Sequence, residues 1–170
     1  PAGGEGFLQR FTIEANAIGD PCELEILEGE TVLMSTSPGE DFVCRGFTGS
    51  GSFTARVVFV GYGVSLPERG YDDYSDIDVS GKIIMAFKPL PEWRPKDNER
   101  WGPVHLPRHR ARVAAEHGAV GMILVSRPGE RTRPPIGSVL HGDGEQDLDF
   151  PQIHVSLPVA AELLEGCGLT

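Results

Sequence analysis

The sequence predicts a mixed α/β fold with an excess of strand. Four short apolar runs have strand length, and two stretches carry helix start and stop residues. The 22 Gly and 14 Pro fall between those segments, as punctuation rather than as low-complexity tracts. A composition of 39% hydrophobic and 24% charged residues over 170 positions suits one globular domain with a flanking segment.

The elements follow in chain order. Leu24 to Leu27 and Thr31 to Met34 flank Gly29 as a hairpin. The small-residue stretch 46–52 (GFTGSGS) reads as a connector, which sets a flanking segment at 1–52 and a second unit at 53–170. Ala55 to Val60 is a β-branched apolar strand stopped by Gly61-Tyr62-Gly63. The acid-rich 71–78 (YDDYSDID) should cap turns, with Gly81 turning the chain into a second strand, Ile83 to Phe87. Pro107 suits a first helical turn and His117-Gly118 a stop, with Ala111, Ala114 and Ala115 allowing close packing on a sheet. Ala119 to Val125 and Pro151 to Val155 are the third and fourth strands. Ser156 is the expected N-cap of a final helix, with Pro158 in its first turn.

Charge and motif content exclude several functions. A net charge of −10 repels a phosphate backbone, so no nucleic-acid partner is expected. No apolar run approaches the about 18 residues of a membrane helix, and the opening PAGGEGFLQR lacks the core of a signal peptide. Cys22, Cys44 and Cys167 have no CxxC or zinc-finger spacing. One thiol is left over, and Cys22 and Cys44 are able to bridge in a secreted host.

The candidate catalytic features are each incomplete. His141 and Asp143 form an HxD, but no Glu-Glu pair or HExxH accompanies it to complete a zinc site with its general base. The alternating acids Asp143, Glu145, Asp147 and Asp149 place Leu148 where a calcium loop needs glycine. No GxSxG elbow is present, and Leu66 stands where a dinucleotide fingerprint needs its third glycine. His109 and His117 are two helical turns apart, too far for one ion. No catalytic residue, metal ligand or bound cofactor is therefore expected on these residues.

The segment from Lys88 to the helix start at Pro107 has no periodicity, and it holds four prolines before Pro107 and both tryptophans. Arg94, Lys96, Arg100, Arg108, Arg110 and Arg112 gather there and along the following helix. The plain reading is a solvated face. The sharper reading is an interface anchored by Trp93, Arg94, Arg100 and Trp101, which would meet a partner domain or a substrate.

Four ordered motifs, VFVGYGV (58–64), YDDYSDIDVSGKIIM (71–85), RHRARVAAEHGAVGMILV (108–125) and FPQIHVSLPVAAELL (150–164), resemble the protease-associated domain inserted in zinc-dependent aminopeptidases. The upstream FLQRFTIEA, Asp41-Phe42 and the Ser-Gly connector are similar to the segment leading into that insertion. The resemblance implies a swivelling β/β/α fold, two β layers with short helices packed against one of them. It implies that zinc chemistry belongs to a separate catalytic domain of the same chain, often exported, whose ligands match no position here. The role implied for the module is a lid over the active-site cleft, a surface selecting peptide or protein substrates, or a docking site. The alternative is a stand-alone interaction module in a receptor-like host that is not a peptidase.

Overall fold

The computed structural model describes residues 19, 21–45, 48–91, 104, 106–127, 129 and 149–165. Strands β1 (Glu25–Glu28) and β2 (Thr31–Ser35) form the expected hairpin. Glu28 pairs with Thr31 across Gly29-Glu30, and Gly29 adopts φ 61°, where glycine alone is unstrained. Next comes β3 (Phe42–Cys44), which sequence patterning did not predict because three residues are too few to show a period. It is the antiparallel edge of the main sheet, pairing Phe42 with Val155 and Cys44 with Ile153.

The rest of that sheet is parallel: β4 (Val57–Phe59), β7 (Ile83–Phe87), β8 (Gly121–Val125) and β9 (Gln152–Val155), in the order β3-β9-β8-β7-β4. Between β4 and β7 lies a small ladder, β5 (Ser65–Leu66) with β6 (Tyr71–Asp72). Gly81, at φ 67°, turns the chain into β7 as expected. The acids of 71–78 cap turns as expected: Asp72 accepts from the Tyr74 N–H at 3.1 Å and Asp78 from the Ser80 N–H at 3.0 Å.

Because side chains alternate along a strand, the apolar runs feed two cores at once. Ile84, Ala86, Met122 and Leu124 project to one face, where helix α1 (Pro107–Glu116) lays Ala111 and Ala114 against them beside Val60, Tyr74 and Phe150. Met85, Ile123, Val125 and Val155 project to the other face. There they meet Ile26 of the hairpin, Phe42 of β3, and Val159 and Ala160 of helix α2 (Leu157–Glu165). Ile84, Met85, Ala86 and Leu124 are fully enclosed. Continuous apolar strands are what a sheet covered on both faces requires. The mixed, strand-rich α/β class is thus as predicted, with one helix on each face of the main sheet. The stretch before residue 52 supplies one strand of that sheet and part of one core.

The start of α2 is placed as expected, but its cap works differently. The Ser156 hydroxyl is buried without a hydrogen-bond partner. The backbone secures the turn instead: the Ser156 N–H donates to the Asp41 carbonyl at 2.7 Å, and the Ala160 N–H donates to the Ser156 carbonyl at 3.0 Å. Among the described residues no helix is long and apolar enough to cross a membrane.

Candidate functional site

In a parallel sheet the loops leaving the C-terminal strand ends share one edge, and that edge is where such folds place variable and functional segments. Here β4 ends at Phe59, β7 at Phe87 and β8 at Val125. The long segment 88–106 leaves from β7, and the polar segment 126–151 leaves from β8.

Arg110 of α1 organises this edge. Its side chain is 0% exposed. Nη1 donates to the carbonyls of Tyr62 and Phe87 at 2.8 and 2.7 Å, and Nη2 donates to the carbonyl of Lys88 at 2.8 Å. Burial pushes the guanidinium down to about 10, which leaves it charged at neutral pH. A planar fork is suited to this task because it reaches acceptors on two separate chain segments. Arg110 had been grouped with the basic surface cluster; the structure removes it from that surface. Its signal in the sequence was its i, i+4 relation to Ala114 on the buried face.

The basic cluster therefore divides. Arg112 is exposed, 3.5 Å from Glu116 one turn on and 3.1 Å from His109 Nδ1, which fits the plain reading of a solvated helix face. His117 occupies the C-terminal end of α1, and its ring stacks on Tyr74 at 4.5 Å and 7°. Trp93, Arg94, Lys96, Arg100 and Trp101 lie outside the described residues, as do His141, Asp143 and Cys167.

A carboxylate holds the neighbouring Gly61-Tyr62-Gly63 turn. Asp73 Oδ2 accepts from the N–H groups of Tyr62 and Val64 at 3.2 and 2.9 Å, and Oδ1 accepts from the Tyr71 hydroxyl at 2.6 Å. Desolvation raises the Asp73 carboxyl above its ordinary range, outweighing the hydrogen bonds that pull it down. Gly63 sits at φ 64°, and a side chain there would meet Tyr74 Oη at 3.3 Å and Ala86 Cβ at 3.4 Å, so backbone shape and close packing both demand glycine. The turn reading of this motif is correct. Its partner, eleven residues away, had no local signal.

Tyr62 in turn packs against Phe87 at 5.5 Å and lies under the Arg127 guanidinium, 5.3 Å from the ring centroid. Arg127 also donates to the Leu90 carbonyl. One aromatic platform thus ties together the first residues of both long segments.

Beneath the same edge, His154 Nε2 lies 3.3 Å from Ser126 Oγ, with His154 5% exposed. Burial, reinforced by the positive charges of Lys88 and Arg45, pushes the imidazole down to about 4 from an ordinary 6.5, so it is neutral at pH 7. Below pH 6.5 the unfolded chain binds this proton and the folded chain does not. Stability present at neutral pH is therefore lost as pH falls from about 6.5 to about 4, by about 2–3 kcal/mol. The expected result is a wild-type Tm that falls more steeply across this window than that of a His154→Gln variant. Parallel Tm–pH curves would remove His154 as the cause.

Among the described residues no group of three or more His, Cys, Asp or Glu is placed to hold a metal, so these residues do not fit a zinc centre. Ser126 faces its histidine inside the fold, where a substrate has no access.

A family model for the PA domain matches residues 53–163. The match begins at Phe53, just past the small-residue connector. Among solved structures, an aminopeptidase from Aneurinibacillus sp. strain AM-1 has a TM-score of 0.50 at 16% identity, covering 79% of this chain and 26% of that one. The likeness is one of fold, and the chain spans about a quarter of that enzyme's length. No curated protein matches the sequence.

Proposed function

The chain belongs to the PA domain family, and from that premise we propose that it is a non-catalytic module of a zinc-dependent aminopeptidase that governs substrate access. The observation that supports this reading most is the shared edge. Two long segments start from one rigid platform, held by Arg110, Asp73 and Arg127. A rigid base lets a long loop present side chains at a fixed place over a neighbouring cleft. The segment from 88 to 106 carries the two tryptophans and four of the 15 Lys and Arg of an acidic chain. On this reading Trp93, Arg94, Arg100 and Trp101 face the catalytic domain or the peptide, while zinc and its ligands belong to that domain.

The test is a Trp93→Ala, Trp101→Ala double variant of the full-length peptidase, assayed on chromogenic amino-acid amides and on long peptides. Loss of the two Trp side chains should change kcat/KM for long peptides by about tenfold. Short amides should change by less than about twofold, since they do not reach the loop. Equal kinetics on both substrate classes would sink the proposal.

A further inference from the structure

At the opposite, N-terminal edge of the parallel strands is a cavity of about 480 Å³, lined among others by Cys22, Cys44, Phe53, Gly121 and Ile153. Its two thiols are 3.7 Å apart, both half-buried, and 22 residues apart in sequence. Cys44 ends the edge strand β3, and Cys22 lies in the segment entering the β1–β2 hairpin. That segment is otherwise secured to the turn after β2 by the Thr36 N–H and hydroxyl, which donate to the Leu24 carbonyl at 3.2 and 2.8 Å.

We propose that Cys22 and Cys44 are a reversible redox clip, whose disulfide fastens the hairpin's leading segment to β3 and fixes one wall of this cavity. The sulfurs need to close from 3.7 Å to a bond of about 2.05 Å, a movement within reach of side-chain rotation and a small shift of an irregular segment. The oxidant is a small-molecule disulfide such as oxidised glutathione. The Cys22 thiolate attacks one glutathione sulfur and expels a glutathione thiolate. The Cys44 thiol then loses its proton and attacks the Cys22 sulfur, expelling the second. Two protein thiols give up two electrons and two protons, and one glutathione disulfide becomes two glutathione thiols. Burial and the adjacent sulfur push the Cys44 thiol up to about 11, which keeps its thiolate fraction small; the closeness of the two sulfurs offsets this in the second, intramolecular attack. The inference is independent of the proposed access role, since it concerns the other edge of the sheet.

The test uses the 170-residue chain carrying Cys167→Ser, equilibrated across oxidised-to-reduced glutathione ratios. The expected result is loss of both thiols together, an intact mass lower by two hydrogens and a Cys22–Cys44 linked peptide. Constraining a loop of this size should raise Tm by roughly 5–10 °C, reversed by dithiothreitol. Adding Cys44→Ser should leave Cys22 glutathionylated with no gain in Tm. Two thiols that stay free in oxidising buffer, separate glutathione adducts, or a linked peptide without a rise in Tm would each overturn the clip.

Discussion

Replacing Arg110 with methionine is expected to lower the unfolding free energy by about 3–5 kcal/mol. The size follows from what the guanidinium leaves behind. When a buried ion pair is replaced by apolar residues, both partners can be exchanged and the result is often neutral. Here the partners are the backbone carbonyls of Tyr62, Phe87 and Lys88, which no substitution removes. Each would lose the Arg110 donor, at about 1–3 kcal/mol apiece where no other donor takes its place. Methionine fills most of the volume and recovers some desolvation energy, so the sum is smaller than three full penalties. Urea unfolding should show a lower midpoint at unchanged slope. Arg110→Lys should recover only part of the loss, because a compact ammonium lacks the fork. A change below about 1 kcal/mol for Arg110→Met would show that water reaches these carbonyls.

Asp73 should separate hydrogen bonding from charge. Asp73→Ala removes the acceptor for the Tyr62 and Val64 N–H groups and for the Tyr71 hydroxyl, with an expected loss of about 3 kcal/mol. Asp73→Asn should stay within about 1 kcal/mol of wild type. Its carbonyl oxygen is able to accept from both N–H groups, and its amide is able to donate to the Tyr71 oxygen once that hydroxyl rotates. The direction of the carboxyl's shift supports this contrast: burial disfavours its ionised form more than the hydrogen bonds favour it, so the fold gains little from the charge itself. The comparison is made by urea midpoints of the two variants at pH 7. Equal damage from both would mean that the negative charge, rather than the acceptor, holds the Gly61-Tyr62-Gly63 turn.

These two side chains also mark where sequence reasoning stops. Ile83 to Phe87 was legible as a strand because five consecutive apolar residues bounded by turn signals leave few alternatives, and the observed strand has those bounds. The helix at Pro107 was legible from its proline start, its Gly118 stop and the alanines between. The ladder of β5 and β6 and the edge strand β3 were not, since strands of two or three residues owe their existence to their partners rather than to their own pattern. Arg110 was read as surface because arginine usually is, and only the carbonyls gathered from two distant loops make its burial stable. His154 stood within an apolar strand run as a visible irregularity, but its neutrality depends first on burial and then on the charges of Lys88 and Arg45, all of them set by folding.

By itself the sequence determined the class of fold, the positions of its long strands and helices, the glycine turns, and a family resemblance that the PA domain match bears out. Those properties are written in neighbouring residues, through side-chain period, turn chemistry and motif order. The tertiary structure alone decided which edge of the sheet launches both long segments, which arginine is buried to hold them, and which two of three cysteines meet. Each of those depends on groups far apart in the chain, whose meeting is set by strand order and by the need to satisfy every buried polar group.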